Sequence, residues 1–284
     1  MPRFAYVNGR YVAHAEAVVH VEDRGYQFAD GVYEVVAIHR GRLVDEMPHL
    51  ERLDRSLGQL AIRWPMRQAA LRLVMRELIR RNALREGTIY LQITRGVAPR
   101  DHAFPKPEVA PALVMTTKGA KRVPTDVISR GVGVITIPDI RWKRCDIKTV
   151  GLTANVQGKQ KAKVAGAFEA WHVNERGEVT EGTSTNAWIV TREGRVVTHP
   201  PGPAILSGVT RLAMLRLAAE SQTAVEERPF TVAELGEARE AFLTSTSAGV
   251  LPVTTVDGRP VGDGTPGPIG RRLRELYYGQ FDSG

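Results

Sequence analysis

Short strand-like runs outnumber helical ones along this chain and never settle into regular β–α alternation, which argues against a doubly wound sheet and for an α+β architecture. The pattern starts at the N-terminus. Phe4 to Val7 and Arg10 to Val12 flank Asn8-Gly9, a dipeptide suited to the positive φ angles of a tight hairpin turn. Val32 to His39 predicts the next strand, which Arg40-Gly41 turns into Arg42 to Asp45. Leu50, Leu53, Leu57 and Leu60 then recur on one helical face, as do Leu71, Val74, Met75, Leu78 and Ile79 in a helix from about Met66 to Asn82. Thr88 to Thr94 and Ala112 to Thr116 predict strands on either side of a polar, proline-bearing loop, Arg95 to Pro111.

Thr117 to Asp126 interrupts both periodicities and is expected to link two lobes, a small one over residues 1–120 and a larger one over 121–284. In the second lobe, strands are expected at Gly131 to Ile137, Phe168 to Val173, Thr185 to Val190 and near Phe242 and Val250. Helices are expected at about Ala154 to Ala165, Gly208 to Ser221 and Pro268 to Tyr278. Repeats and low-complexity tracts are absent from the sequence.

At 284 residues, 43% of them hydrophobic, the chain can bury a substantial core. The net charge of +8 would suit nucleic acid, but its cations are interleaved with acids, as in Glu51-Arg-Leu-Asp-Arg55, and read as solvated surface. One cysteine, Cys145, excludes an internal disulfide. With no apolar N-terminal signal and no apolar run of about 18 residues, a cytoplasmic protein without membrane contact is expected. The sequence has no Gly-rich nucleotide fingerprint, Walker loop or metal-spaced His/Cys set, so no metal is expected. His14, His20, His39, His49, His172 and His199 are scattered and read as structural or surface residues.

Chemistry concentrates in a few segments. Of five lysines between Lys143 and Lys163, Lys159, Lys161 and Lys163 decorate a predicted helix, whereas Lys148 stands in the apolar-flanked run Ile147-Lys-Thr-Val150. A lysine in a partly desolvated site loses its proton more readily and can attack a carbonyl to form a Schiff base. Glu181, in Glu178-Val-Thr-Glu-Gly-Thr-Ser-Thr-Asn186, could pair with a protonated pyridine nitrogen or stand as a strand-end surface carboxylate. Leu206-Ser-Gly208-Val-Thr210-Arg211 precedes a helix, where N–H groups and the Thr210 hydroxyl could hold a phosphate or Thr210 could be an N-cap. Ser245 and Thr246 could add hydroxyls from a strand end, while Arg52 reads by itself as a surface charge on the first amphipathic helix. Arg100 and His102, two apart in an extended loop, could grip a carboxylate.

In this order, the segments resemble the fold-type IV pyridoxal-phosphate enzymes, and within them the D-amino acid aminotransferase branch. The likeness runs from Val21-Glu-Asp-Arg-Gly-Tyr-Gln-Phe-Ala-Asp-Gly-Val-Tyr33-Glu-Val to Gly258. The resemblance implies a two-lobed α+β fold of mixed sheets with flanking helices, the cofactor between the lobes and its lysine in the larger one. It implies pyridoxal 5′-phosphate as cofactor and Lys148 as the Schiff-base residue. Glu181 is implied as partner of the pyridine nitrogen, and Arg52, Val209, Thr210 and Thr246 as the phosphate cup with Ser245 nearby. Tyr33, Arg100 and His102 are implied to bind the substrate carboxylate, the last two reaching the site from the partner subunit of a homodimer.

The expected reaction is ping-pong transamination between a D-amino acid and a 2-oxo acid. Two stretches near the expected pocket, Thr149-Val-Gly-Leu-Thr-Ala-Asn155 and Ser247-Ala-Gly-Val250, depart from the branch's usual pattern and bear on side-chain preference. The nearest alternatives share the fold: a branched-chain or (R)-amine transaminase, or an aminodeoxychorismate lyase. A basic nucleic-acid-binding protein is the alternative from another class, and it leaves the ordered motifs unexplained.

Overall fold

The structure, a computed structural model, describes residues 3–119 and 123–282, with the side chain of the last left aside. The chain divides into two compact units, Met1–Lys121 with Ile147–Gly151, and Arg122–Asp146 with Leu152–Gly284.

The first unit contains β1 (Phe4–Val7), β2 (Arg10–Ala13), α1 (Arg24–Phe28), β3 (Gly31–His39), β4 (Arg42–Leu43), α2 (Glu46–Gln59), α3 (Gln68–Arg81), β5 (Gly87–Thr94) and β6 (Ala112–Gly119). Asn8 and Gly9 take φ angles of 45° and 94°, as a two-residue hairpin requires. The strands form one antiparallel sheet in the order β2-β1-β6-β5-β3-β4. In β3, Val32, Val36 and Ile38 are buried, and they join Leu50, Leu53 and Leu57 of α2 with Leu71, Met75 and Leu78 of α3 in a single core. The leucine spacing of both helices is therefore that of a buried stripe, the arrangement that stabilises an amphipathic helix.

Three readings of this unit need correction. The run Arg42 to Asp45 is a strand only as far as Leu43, and Asp45, with φ of 51°, caps the start of α2. The expected linker from Thr117 is strand as far as Gly119, because β6 pairs with β5 along its full length. Its residues 120–122 lie outside the described residues. Lys148, expected in the larger lobe, belongs to the first unit, because Ile147–Gly151 pairs with the start of β3 and Ile147 enters that unit's core.

The second unit contains α4 (Thr125–Arg130), β7 (Val132–Pro138), α5 (Thr153–Val164), β8 (Glu169–Val173), β9 (Glu178–Gly182), β10 (Asn186–Val190), β11 (Val196–Thr198), α6 (Val209–Glu220), β12 (Val225–Glu227), β13 (Phe230–Thr231), α7 (Val232–Glu237), β14 (Glu240–Ser245), β15 (Gly249–Val256), β16 (Arg259–Pro260) and α8 (Pro268–Asp282). Its mixed sheet runs β12-β11-β10-β14-β15-β7-β8-β9-β13, with β16 on β15. β7 is parallel to both of its neighbours, and the central strands are buried on both faces. One face packs on Met214 and Leu217 of α6 and Leu273 of α8, and the other holds Trp171, Phe230 and Leu235. This double burial explains why β10 and β14 read as continuous apolar runs rather than alternating ones.

Candidate active site

Lys148 is placed by backbone pairing. The Tyr33 N–H donates to the Lys148 carbonyl at 3.0 Å, and the Val150 N–H donates to the Gly31 carbonyl at 3.1 Å. The segment is thereby a short extra strand on the end of β3, held from behind by the Ser56 hydroxyl, 3.4 Å from the Lys148 N–H. Lys148 Nζ lies 4.2 Å from the centroid of the Tyr33 ring, a cation–π contact. Tyr33 in turn stacks on Tyr90 at 5.6 Å, and the Tyr90 hydroxyl donates to Gln92 Oε1 at 2.7 Å. Burial pushes the Tyr90 phenol up to about 12.

Arg52 is not a surface charge. It is 8% exposed, and its Nε and Nη2 donate to the two oxygens of Glu34, each at 2.8 Å. His49, one helical turn earlier, closes the cluster at 2.7 Å from Glu34 Oε2. Burial by itself would raise the Glu34 pKa, but the Arg52 charge and hydrogen bonds outweigh it and hold the carboxyl at about 2. His49 is shifted down by burial first, and the cations of Arg52 and Lys148 push the same way. Glu34 alternates inward on β3 beside outward-facing Tyr33, so one strand fixes both. The result is a buried guanidinium whose plane is set before any anion arrives.

Arg100 and His102 sit in the exposed loop after β5 and meet at Phe28. The Arg100 guanidinium carbon is 4.7 Å from that ring's centroid, and the His102 ring is 5.3 Å from it. Among the described residues, neither makes a hydrogen bond or ring contact with Tyr33 or Lys148 of the same chain.

In the second unit Glu181, on β9, is 7% exposed. Its Oε2 accepts from the Leu206 N–H at 3.1 Å and from Asn186 Nδ2 at 3.2 Å, and its Oε1 pairs closely with Arg141 Nη1. Arg141 is fixed by Asp139, with Nε to Oδ1 at 2.9 Å and Nη2 to Oδ2 at 2.7 Å, and by the Ala204 carbonyl at 2.9 Å. Burial would raise Asp139, yet Arg141 holds it at about 2; burial would lower Arg141, yet Asp139 and Glu181 raise it. Glu181 is therefore one end of a buried acid–base–acid chain, and the surface alternative falls away.

Asn186 connects this carboxylate to a helix start. Its Nδ2 also donates to the Leu206 carbonyl at 2.9 Å, and a Cβ added at Gly208 would stand 2.2 Å from its Oδ1, so a larger residue there would have to displace this amide. Gly208 is the N-cap of α6 and has no side chain to satisfy the first N–H groups, a ready anion site. Val209 and Thr210, both 3% exposed, are the first two helical residues, so Thr210 is not the cap. Asn186 is paired with Thr244 across β10 and β14, which sets Ser245 and Thr246 at the adjacent strand end. The Ser245 hydroxyl accepts from the Ala248 N–H at 3.1 Å and so shapes that turn. Asn186 is thus neighboured by Gly208, which precedes Val209 and Thr210, and by Thr244, which precedes Ser245 and Thr246.

Asp139, Arg141, Glu34 and Asn186 escaped the sequence reading. The first two had one signal available: residues two apart in extended chain share a face, so an Asp-x-Arg pair can bind itself. The contact of Arg141 with Glu181, forty residues on in sequence, had none.

The Amino-transferase class IV family signature matches residues 31–256. The chain is 43% identical over 279 residues to a D-alanine aminotransferase of Staphylococcus aureus (strain COL), covering 98% of both chains. A D-alanine aminotransferase of Bacillus licheniformis is 42% identical over 267 residues, 94% of this chain and 93% of the relative. Among solved structures, a T.th. branched-chain amino acid aminotransferase with pyridoxamine 5′-phosphate superposes with a TM-score of 0.89 at 26% identity, covering 98% of this chain and 93% of that one. The Escherichia coli branched-chain amino acid aminotransferase, at 23% identity and a TM-score of 0.90 over 98% and 94% of the two chains, shares the fold. With its signature spanning both units and relatives alike from end to end, the chain belongs to the class IV aminotransferases.

Proposed function

We propose that the protein moves the amino group of a D-amino acid such as D-alanine to a 2-oxo acid such as 2-oxoglutarate, with pyridoxal 5′-phosphate as cofactor. One observation carries the choice of donor: the likeness to D-alanine aminotransferases at 43% identity spans 98% of the chain, including the Arg100/His102 loop. The residues present fit a phosphorylated pyridine aldehyde. A lysine amine rests on an aromatic face, a buried carboxylate is charge-balanced by Arg141, and a glycine-capped helix start opens with Val209 and Thr210.

When bound, the cofactor supplies an aldehyde and a protonated ring that takes up the electron pair left at the substrate Cα. Lys148 Nζ would hold the cofactor covalently and, once freed, would serve as the base that takes the substrate Cα proton and then as the acid that returns it. Glu181 would keep the proton on the ring nitrogen by a charge-assisted hydrogen bond, with Arg141 balancing its charge. By the likeness to the class IV relatives, Arg52 would serve as a phosphate ligand, as would the first N–H groups of α6 at Val209 and Thr210 and the hydroxyls of Thr210, Ser245 and Thr246. Tyr33, Arg100 and His102 hold the substrate carboxylate so that the α-hydrogen of the D enantiomer faces Lys148.

The branched-chain reading is kept as an alternative because solved enzymes of that activity superpose so well. With 2-oxoglutarate as acceptor, D-alanine should be turned over well ahead of L-leucine and 1-phenylethylamine, and a strong preference for L-leucine would overturn the assignment.

Arg100 and His102 serve the partner's site in a homodimer, which accounts for their lack of contact with Tyr33 in their own chain. Support comes from α1 and the segment before it, where Val18, Val21 and Tyr26 are 76%, 71% and 75% exposed, an apolar surface costly to leave in water. Sedimentation should show a dimer that Val21→Asp weakens measurably; a wild-type monomer active at all concentrations would rule this out. Among the described residues no helix is long and apolar enough to cross a membrane, and a cytoplasmic location is part of this reading.

A further inference from the structure

The loop that carries Arg100 and His102 is exposed, yet its backbone is fastened to buried charge. Arg24, 3% exposed, is the first residue of α1. Its Nε donates to Asp30 Oδ2 at 2.8 Å, its Nη1 to the Asp101 carbonyl at 2.5 Å and its Nη2 to the His102 carbonyl at 3.3 Å. Asp30 is shared with Arg95, whose Nε and Nη2 reach its two oxygens at 2.7 and 3.0 Å. Arg95 is itself held by the Leu60 and Ala61 carbonyls at 2.7 and 2.9 Å. The Arg24 N–H donates to the Gly96 carbonyl at 2.9 Å, so the loop is tied to α1 at its start and again at Asp101 and His102. Burial opposes ionisation of Asp30, but Arg95 and Arg24 outweigh it and keep its carboxyl below the usual range.

Phe28, at the other end of α1, supplies a surface for the side chains. Its ring centroid is 4.9 Å from the Arg24 guanidinium carbon, 4.7 Å from that of Arg100 and 5.3 Å from the His102 ring. An exposed arginine and histidine otherwise sample many rotamers, and an aromatic face restricts both. Resting on the reading of Arg100 and His102 as the substrate-carboxylate clasp, we infer that Arg24 and Phe28 are its positioning residues. Arg24 sets the backbone at Asp101 and His102, and Phe28 sets the planes of the Arg100 guanidinium and the His102 imidazole. The Asp30 bridge gives Arg24 a fixed direction that lysine, a point charge without a planar fork, cannot reproduce.

The test compares D-alanine with D-alaninamide as donors to the purified holoenzyme, following each single-turnover half-reaction by the cofactor's absorption. The clasp recognises the carboxylate, so the acid-to-amide rate ratio reports on its geometry. Arg24→Lys and Phe28→Leu should each lower that ratio by about tenfold while the absorption band of the resting holoenzyme stays unchanged. Phe28→Tyr, which keeps the aromatic face, should recover most of the loss. A merely structural role would slow acid and amide alike, and an unchanged ratio in both variants overturns the inference. If Arg24→Lys does not fold, Phe28→Leu decides alone. Arg100→Ala separates the two claims. If it lowers the ratio and the others do not, the clasp stands and the positioning fails; if it too leaves the ratio unchanged, the clasp reading itself is wrong.

Discussion

Lys148→Ala yields a colourless protein: after incubation with pyridoxal 5′-phosphate and dialysis, the visible absorption band is gone and D-alanine transamination falls by roughly 10⁴-fold. The size of the effect follows from the residue's double duty, since the same Nζ would hold the cofactor and carry the proton at Cα. The fold should survive. Lys148 is fixed through its backbone, with its carbonyl accepting from Tyr33 and its N–H facing Ser56, and the contact made by Nζ is the face of Tyr33. Removing one cation–π contact costs about 1 kcal/mol or less. A variant with wild-type stability and no turnover is therefore the expected pair of results, and full turnover in Lys148→Ala would end the assignment.

Glu181→Gln should lower kcat on the order of 10²-fold or more while D-alanine still binds, because an amide cannot offer the ring nitrogen a full negative charge. The substitution preserves volume, and Arg141 retains both oxygens of Asp139 as acceptors, so no buried cation is stranded. The cofactor should remain bound through Lys148 and the phosphate contacts, with its absorption maximum shifted. Steady-state kinetics and a spectrum of the same preparation check both statements. If kcat stays within about twofold of wild type, Glu181 does not support the ring.

Elements were legible wherever one face is buried and the other wet. The leucines of α2 and α3 and the alternation in β3 mark the first unit's core directly, because a single hydrophobic interface imposes a period on the sequence. Short elements without a turn dipeptide beside them were not. α1 has five residues, too few for a helical period, and its start is set by Asp23 accepting from the Gly25 N–H at 2.8 Å. β9 was visible only as a strand end at Glu181, and β11 to β13 were missed because two or three residues carry no pattern.

For the site, the sequence by itself determined which residue types were available and in what order: one lysine in an apolar run, one carboxylate before a hydroxyl-rich turn, a glycine ahead of a helix, and Arg100 two residues from His102. These are local properties, set by neighbours a few residues away. Tertiary structure decided the environment of each. It turned Arg52 from an apparent surface charge into a buried cation locked by Glu34 and His49, and it moved Lys148 into the first unit through a strand pairing with Tyr33, far away in sequence. It also placed Arg141 against Glu181, and Arg24 under the Asp101–His102 backbone. The physical reason is the same in each case. A buried charge must find an opposite charge or a hydrogen-bond partner, and the chain satisfies that demand with residues close in space, whose separation in sequence leaves no periodic trace.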